Sequence, residues 1–376
     1  MTEGLQHAAP TQKHAGAAPL PFPQGVSLRP VADTFALNWA RIADHLAIQG
    51  LVLDRNVLPR QFSGGLANLN YLLRVNDNWM VLRRPPTGPL PPGANDMRRE
   101  HRILSRLWEA LPLAPRSHLL CEDAEIAGAP FQLLEFRQGL AIRGDLLDPL
   151  PDTPETGRAL SAMLVETLAK VHGVDVDAIG LGQLGRPEGF FARTAKGWMD
   201  RGVLICDGTL SPAAQAVADW LSALPPMPDS APVLLHNDFK LDNILIDQKS
   251  LTPLAIFDWD MGTRGDPLFD LATLLSYWSE PGDPDCMGRL AQMPTARTGF
   301  ASREEAASAY AQATGRSIAN LKPFRVLTMF KLGVVFHQLH RRSLTGEATD
   351  PRYATFGTLA EELFEFTIDI AANKVF

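Results

Sequence analysis

Apolar residues recur along this chain with two periods, and the changes between them mark its elements. The first 30 residues, rich in Ala, Pro, Gly, Gln and His, show neither period and predict a mobile tail. Leu37, Ala40, Ile42 and Leu46 then follow helical spacing, with Asp33 as the expected cap. Period-two alternation through Trp79-Met80-Val81-Leu82-Arg83-Arg84 predicts a strand with Val81 and Arg83 on one face, Leu82 and Arg84 on the other. Met97, Leu104, Leu107 and Trp108 return to helical spacing, which turns Glu100 to the inward side. A longer helix from about Glu155 to His172 would bury Leu160, Met163, Leu164, Thr167, Leu168 and Val171. Asn243-Ile244-Leu245-Ile246 and Leu254-Ala255-Ile256-Phe257 read as two strands of a hairpin.

That hairpin changes the picture, because polar residues able to do chemistry sit at both ends of it. His236-Asn237-Asp238-Phe239-Lys240-Leu241-Asp242-Asn243 precedes it, and Asp258-Trp259-Asp260 follows. Phosphoryl transfer needs one carboxylate to orient a hydroxyl and take its proton, and an amide with a second carboxylate to hold the metal bridging the phosphates. Asp238, Asn243 and Asp258 fit those roles, with Lys240 two residues after the base. Each Asp alone reads equally well as a turn former or cap. The ordered set between apolar strands is what points to chemistry.

In that order these residues resemble the aminoglycoside phosphotransferase and choline kinase superfamily. The resemblance implies an α+β, two-lobed protein-kinase-like fold. It has a small N-lobe with an antiparallel sheet over residues 31–137 and a larger, mainly helical C-lobe over 138–376, after the tail at 1–30. ATP and Mg²⁺ are the implied cofactors. Asp238 would act as base, Lys240 would stabilise the transferring group, and Asn243 with Asp258 would hold the metal. Ser63, Gly64 and Gly65 then read as a strand-turn-strand over the phosphates, where glycines admit backbone N–H groups to phosphate oxygens. Arg83 would grip the α- and β-phosphates where the kinase pattern has Lys, and Glu100 would hold Arg83. Backbone groups of Glu135 and Arg137, in a linker between lobes, would read the base edge. Asp266, Asp270 and His236 would brace the catalytic loop, while His172 packs or caps a helix.

Gly180-Leu181-Gly182-Gln183-Leu184-Gly185 is a literal G-x-G-x-x-G, but a helix precedes it and Arg186-Pro187-Glu188-Gly189 follows, so it predicts a loop and not a dinucleotide fingerprint. With Phe190, Arg193, Trp198 and Leu82-Arg83-Arg84-Pro85-Pro86, the same stretch resembles phosphotransferases related to the kinase-like domain of acyl-CoA dehydrogenase family proteins. That narrower resemblance implies a hydroxyacyl-CoA acceptor, phosphorylated on its hydroxyl. An antibiotic kinase and a non-catalytic nucleotide-binding pseudokinase stand as alternatives.

Charge bears on the acceptor. The chain has 42 Asp and Glu against 35 Lys and Arg, a net charge of −7 that argues against a nucleic-acid partner. Yet Ser276 to Thr345 carries nine Lys and Arg against five Asp and Glu. Lys331, Gln338 and Arg342 would share one helical stripe facing an anionic substrate, with a solvated basic face as the plain alternative. Three scattered cysteines suggest neither disulfides nor a zinc site, and neither a signal peptide nor a long apolar run is evident. A cytoplasmic enzyme acting on a small molecule, with no membrane partner, is the expectation.

Overall fold

The computed structural model describes residues 22–63, 68–88, 95–346 and 351–376. Helix α1 (Trp39–Ile48) buries Ile42, Ala43 and Leu46. Its cap is Asn38, whose side chain accepts the Arg41 N–H at 3.0 Å, whereas the expected cap, Asp33, ends a separate 3-10 turn at Val31–Asp33. Asp and Asn both suit the role. The one lying directly before the helix supplies it.

Strands β1 (Arg60–Gln61), β2 (Leu69–Val75) and β3 (Asn78–Arg84) lead to α2 (Met97–Leu107), β4 (Ser117–Cys121), α3 (Ala124–Ala127) and β5 (Phe131–Glu135). The five strands form one antiparallel sheet in the order β1-β2-β3-β5-β4. Register sets Arg83 opposite Asn70 on one side and Gln132 on the other. Part of the expected tail adds to this sheet. Leu28 bridges to Phe62, the Arg29 N–H donates to the Gln61 carbonyl at 2.8 Å, and the Phe22 ring lies 5.2 Å from that of Trp79. Residues 22–30 are thus attached by apolar anchors that their mixed composition conceals.

After β6 (Leu140–Ala141) come α4 (Pro154–His172), α5 (Phe190–Ile205), α6 (Pro212–Ser222) and β7 (Val233–Leu235), then the hairpin β8 (Ile244–Ile246) and β9 (Pro253–Ile256), and β10 (Thr263–Gly265). Helices α7 (Pro267–Tyr277), α8 (Asp285–Leu290), α9 (Arg303–Thr314), α10 (Leu321–Leu344) and α11 (Phe356–Ala371) complete the larger lobe. β6, β8 and β9 form one small sheet, and β10 pairs antiparallel with β7. α10 runs between α11, α7 and α5.

Among the described residues, two apolar clusters result. The smaller joins Ile42 and Leu46 of α1 to Tyr71, Leu73, Leu82, Phe131 and Leu133 of the sheet. The larger fills the helical lobe and also takes in Ile103, Leu104 and Leu107 of α2. The amphipathic face of α2 is therefore buried against the large lobe, and Glu100, one turn before Leu104, enters the cleft between lobes. This two-lobed kinase-like architecture accounts for how residues distant in sequence come to one site.

Candidate active site

β7 and the β8–β9 hairpin deliver the two polar clusters to the same place. The His236 and Asn237 N–H groups donate to Asp270 at 2.6 and 2.7 Å, and Asp266 caps α7 by accepting the Leu268 N–H. His236 Nε2–H donates to the Phe257 carbonyl at 2.6 Å, leaving Nδ1 to accept the Asp238 N–H at 3.3 Å. The Phe257 N–H donates to the Asn243 carbonyl at 2.8 Å, tying the residue before Asp258 to Asn243. Asn237 and Asp258 both take left-handed backbone angles, φ +67° and +65°. Such conformations cost free energy in non-glycine residues and persist only where surrounding bonds hold them. His172 is buried with one ring nitrogen 2.6 Å from the Tyr310 hydroxyl and the other 3.4 Å from Asp270, so it packs behind the carboxylate that braces this loop.

Asp238 keeps 21% of its side chain exposed, enough to meet a substrate, while both its oxygens are engaged. Oδ1 accepts the Tyr277 hydroxyl at 2.6 Å; Oδ2 accepts Asn243 Nδ2 at 3.0 Å and lies 3.2 Å from Lys240 Nζ. Burial pushes this carboxyl up, but the Lys240 and Lys331 ammoniums and the Tyr277 hydroxyl outweigh it and hold Asp238 below the usual carboxylate range. Burial works against charge on Lys240 too, yet Asp238 holds it well above its ordinary value. Burial and the Asp238 charge push the Tyr277 hydroxyl far up, so it stays a donor. Tyr277 escapes sequence reading because every residue of α7 is buried, so periodicity singles out no face.

Arg83 lies in the cleft with Nε 2.7 Å from Glu100 and a terminal nitrogen bonded to Asp258. Glu100 is almost wholly buried and also accepts from Gln132 Nε2 and, at 3.2 Å, from the Trp259 N–H. Burial pushes the Glu100 carboxyl up against the pull of Arg83. For Arg83, burial is overcome by Glu100, Asp258 and Asp260, which keep the guanidinium charged. Asp260, buried beside the carboxylates of Asp258 and Glu100, is pushed up to about 8.

The other expected nucleotide contacts are less assembled. Ser63 is exposed and donates its N–H to the Ser27 carbonyl at 3.0 Å, while Gly64 and Gly65 lie outside the described residues. Glu135 donates its N–H to the Arg116 carbonyl at 2.8 Å, and its carboxylate pairs with Arg137 Nε at 2.8 Å. That N–H is therefore already engaged and is not open to a base edge.

Beside the loop that carries Asp238 opens a cavity of about 380 Å³. Leu184, Phe190, Trp198, Met261 and Phe269 give it apolar walls, and Arg99, Arg186, Arg193 and Lys331 give it cations. Of the expected stripe, only Lys331 belongs to it. Lys331 is buried, with Nζ donating to the Asn237 carbonyl at 2.6 Å. Gln338 and Arg342 are half-buried further along α10 and do not line the cavity. At about 1.5 Å of rise per residue, seven and eleven residues carry them roughly 10 and 16 Å away. Nor does the basic surplus make a basic pocket. Arg303 is buried on Glu280 and Asp283, Arg297 pairs with Asp152, Arg289 with Glu362, Arg341 with Asp207, and Arg325 bonds the Phe376 carbonyl. The G-x-G-x-x-G segment is a loop, and its Gly185, at φ +68°, lies where a Cβ would strike Thr263 Oγ1. The cavity wall formed by residues 184–186 depends on that approach.

Fold and loop together define a kinase-like phosphotransferase, and residues 59–307 match the Phosphotransferase enzyme family, to which this chain belongs. Mouse "Acyl-CoA dehydrogenase family member 10" is 30% identical over 353 residues, 93% of this chain but 32% of that protein. Chicken "Acyl-CoA dehydrogenase family member 11" is 30% identical over 320 residues, 84% of the chain and 41% of that protein. The chain thus spans about a third to two fifths of the length of these relatives. Among solved structures, a provisional aminoglycoside phosphotransferase of Ralstonia eutropha superimposes with a TM-score of 0.73 at 23% identity, covering 90% of this chain and 99% of that one. These structural likenesses carry the fold.

Proposed function

We propose that this enzyme transfers the terminal phosphoryl group of ATP to a hydroxyl on a small molecule. The observation that carries the reading is Asp238, held below its ordinary pKa and aimed by Tyr277, Asn243 and Lys240. An acceptor hydroxyl hydrogen-bonds to the Asp238 carboxylate, which aligns its oxygen and takes its proton as the new O–P bond forms, the bond from the γ-phosphorus to the β,γ-bridging oxygen breaks and ADP leaves. Lys240 stays protonated and offsets charge on the transferring group. Arg83, pre-set by Glu100, is the cation for the non-transferring phosphates.

Asn243 donates Nδ2 to the Asp238 carbonyl and carboxylate, which leaves its amide oxygen for a ligand. With Asp258 this makes a hard-oxygen pair suited to Mg²⁺, which commonly relies on one or two protein groups plus phosphates and water. These two residues would hold magnesium, which would supply positive charge against the phosphates, with Asp258 turning from its contact with Arg83 to do so.

For the acceptor, the finer reading is a hydroxyacyl-CoA, supported by the acyl-CoA dehydrogenase names of the relatives and by the cations of the cavity. The rival, an antibiotic kinase, draws on structures such as an aminoglycoside phosphotransferase solved with AMP-PNP and hygromycin B. Against it, no carboxylate is among the described residues lining the cavity, and a polycation wants them. The test is Mg-ATP consumption across 3-, 4- and 5-hydroxyacyl-CoA thioesters, free hydroxy acids and aminoglycosides, with Asp238→Asn as blank. Turnover confined to thioesters supports the finer reading, and turnover of aminoglycosides alone replaces it. Equal turnover by Asp238→Asn removes the mechanism.

A further inference from the structure

The arginines of the cavity are more informative than its volume, because they come from both lobes. Arg99 stands on α2, next to Glu100, and reaches down to the large lobe. Its contacts there are long, 3.3 Å to the Asp260 carbonyl and 3.5 Å to Asp96. Arg193 stands on α5, with Nε donating to the Glu188 carbonyl at 3.0 Å and a terminal nitrogen to the Arg186 carbonyl. Backbone carbonyls orient that guanidinium without neutralising it. Lys331 lies on the catalytic-loop side, its Nζ committed to the Asn237 carbonyl and its ammonium 5.2 Å from the centre of the Phe269 ring. No Asp or Glu is among the described lining residues.

Guanidinium groups match carboxylate and phosphate oxygens in planar, two-pronged fashion. Guanidiniums beside apolar walls, Arg193 held by backbone carbonyls and Arg99 by a long 3.5 Å contact to Asp96, favour a ligand that is anionic at one end and apolar along its body. We propose that the acceptor is an amphiphilic anion whose carboxylate or phosphate is gripped across the lobes by Arg99 and Arg193. Its apolar body lies along Phe190, Trp198 and Phe269, and its hydroxyl reaches Asp238. The proposal rests on the phosphotransfer reading and deepens it by naming the residues that select the acceptor. A cavity of about 380 Å³ holds an acyl-sized body. A larger carrier extends outward past the arginines. Arg99 and Glu100 are neighbours on one helix, so acceptor anion and nucleotide cation are held by the same element.

The experiment measures kcat/KM for 5-hydroxypentanoate, 5-hydroxypentyl phosphate and 5-hydroxypentanoyl-CoA against neutral 1,5-pentanediol and cationic choline. It uses the native enzyme and the Arg99→Met, Arg99→Lys and Arg193→Met variants. Native enzyme should prefer the anions, and the carboxylate, phosphate and thioester arms identify the source of the charge. Arg99→Met and Arg193→Met should each lower the anion-to-diol ratio about tenfold, the scale of one charge-assisted hydrogen bond, with Arg99→Lys restoring part. An unchanged ratio in both Met variants overturns the proposal, as does a native preference for choline. Silence of all anions while Asp238-dependent ATP hydrolysis continues overturns it too and leaves phosphotransfer standing. Absence of that hydrolysis together with silence removes the phosphotransfer reading and this one with it.

Discussion

Tyr277 closes one oxygen of Asp238 while Asn243 and Lys240 share the other, so the carboxylate cannot rotate freely. In the proposed role of base, a carboxylate fixed in this way would preorganise the hydroxyl it aligns. Tyr277→Phe keeps the ring under Lys240, 4.7 Å from its centre, and removes only the donor. Loss of a bond that holds the carboxyl down lets its pKa rise. The base must be ionised to work, so the acid limb of kcat/KM should move to higher pH in this variant, with about 1 kcal/mol lost from stability. A pH profile checks this; a limb that stays put while kcat falls would assign Tyr277 to packing alone. Asp238→Asn should lower kcat by several orders of magnitude with ATP affinity nearly intact, read by steady-state rates and by calorimetric titration of AMP-PNP. The Asp238, Lys240 and Asn243 set is legible in sequence because its members lie within six residues of one another. Tyr277, 39 residues downstream on a helix buried all round, is not.

At the scale of elements, spacing reveals what a segment is more readily than where it stops. The strand ending at Arg84, the helix carrying Glu100 and the β8–β9 hairpin all follow from period. The start of α1 does not, since Asp33 and Asn38 are both competent caps and only tertiary placement chooses. The loop before α5 gives a test of a different kind. Gly185 and Gly189 both have positive φ, but a Cβ on Gly189 meets nothing within 4 Å, whereas one on Gly185 strikes Thr263. Gly189→Ala should therefore cost only the left-handed strain, roughly 1 kcal/mol. Gly185→Ala should cost more, about 2–3 kcal/mol, and should also raise acceptor KM by moving the wall that bears Arg186. Chemical denaturation with acceptor kinetics separates the two. Equal behaviour of both variants would mean that the loop does not shape the cavity.

Whole-molecule properties are the hardest to read from a linear chain, and charge shows why. A basic surplus between residues 276 and 345 suggests a basic pocket, yet Arg297 and Arg341 find partners at Asp152 and Asp207, far outside the interval counted. Folding decides which charges cancel. The cations that do line the cavity come instead from α2, the 184–186 loop and α5, with Lys331 from α10. The same collection of charge in the interlobe cleft makes stability depend on pH. Asp260 has an ordinary pKa of 3.8 when unfolded and is pushed up to about 8 when folded, by burial and by the Asp258 and Glu100 carboxylates. Below the unfolded value both states hold the proton and this group's contribution to stability is fully present. Between about 4 and about 8 the unfolded chain has released it and the folded protein has not, so this contribution is lost as pH rises through that window. The slope from one proton cannot exceed about 1.4 kcal/mol per pH unit. Metal-free protein should accordingly lose Tm from about pH 5 to about pH 8, and Asp260→Asn, which has no proton to lose, should show a flatter profile. If the native protein and the Asp260→Asn variant trace parallel curves, the Asp260 carboxylate is ionised throughout and the cleft tolerates three adjacent negative charges beside the Arg83 and Arg99 guanidiniums.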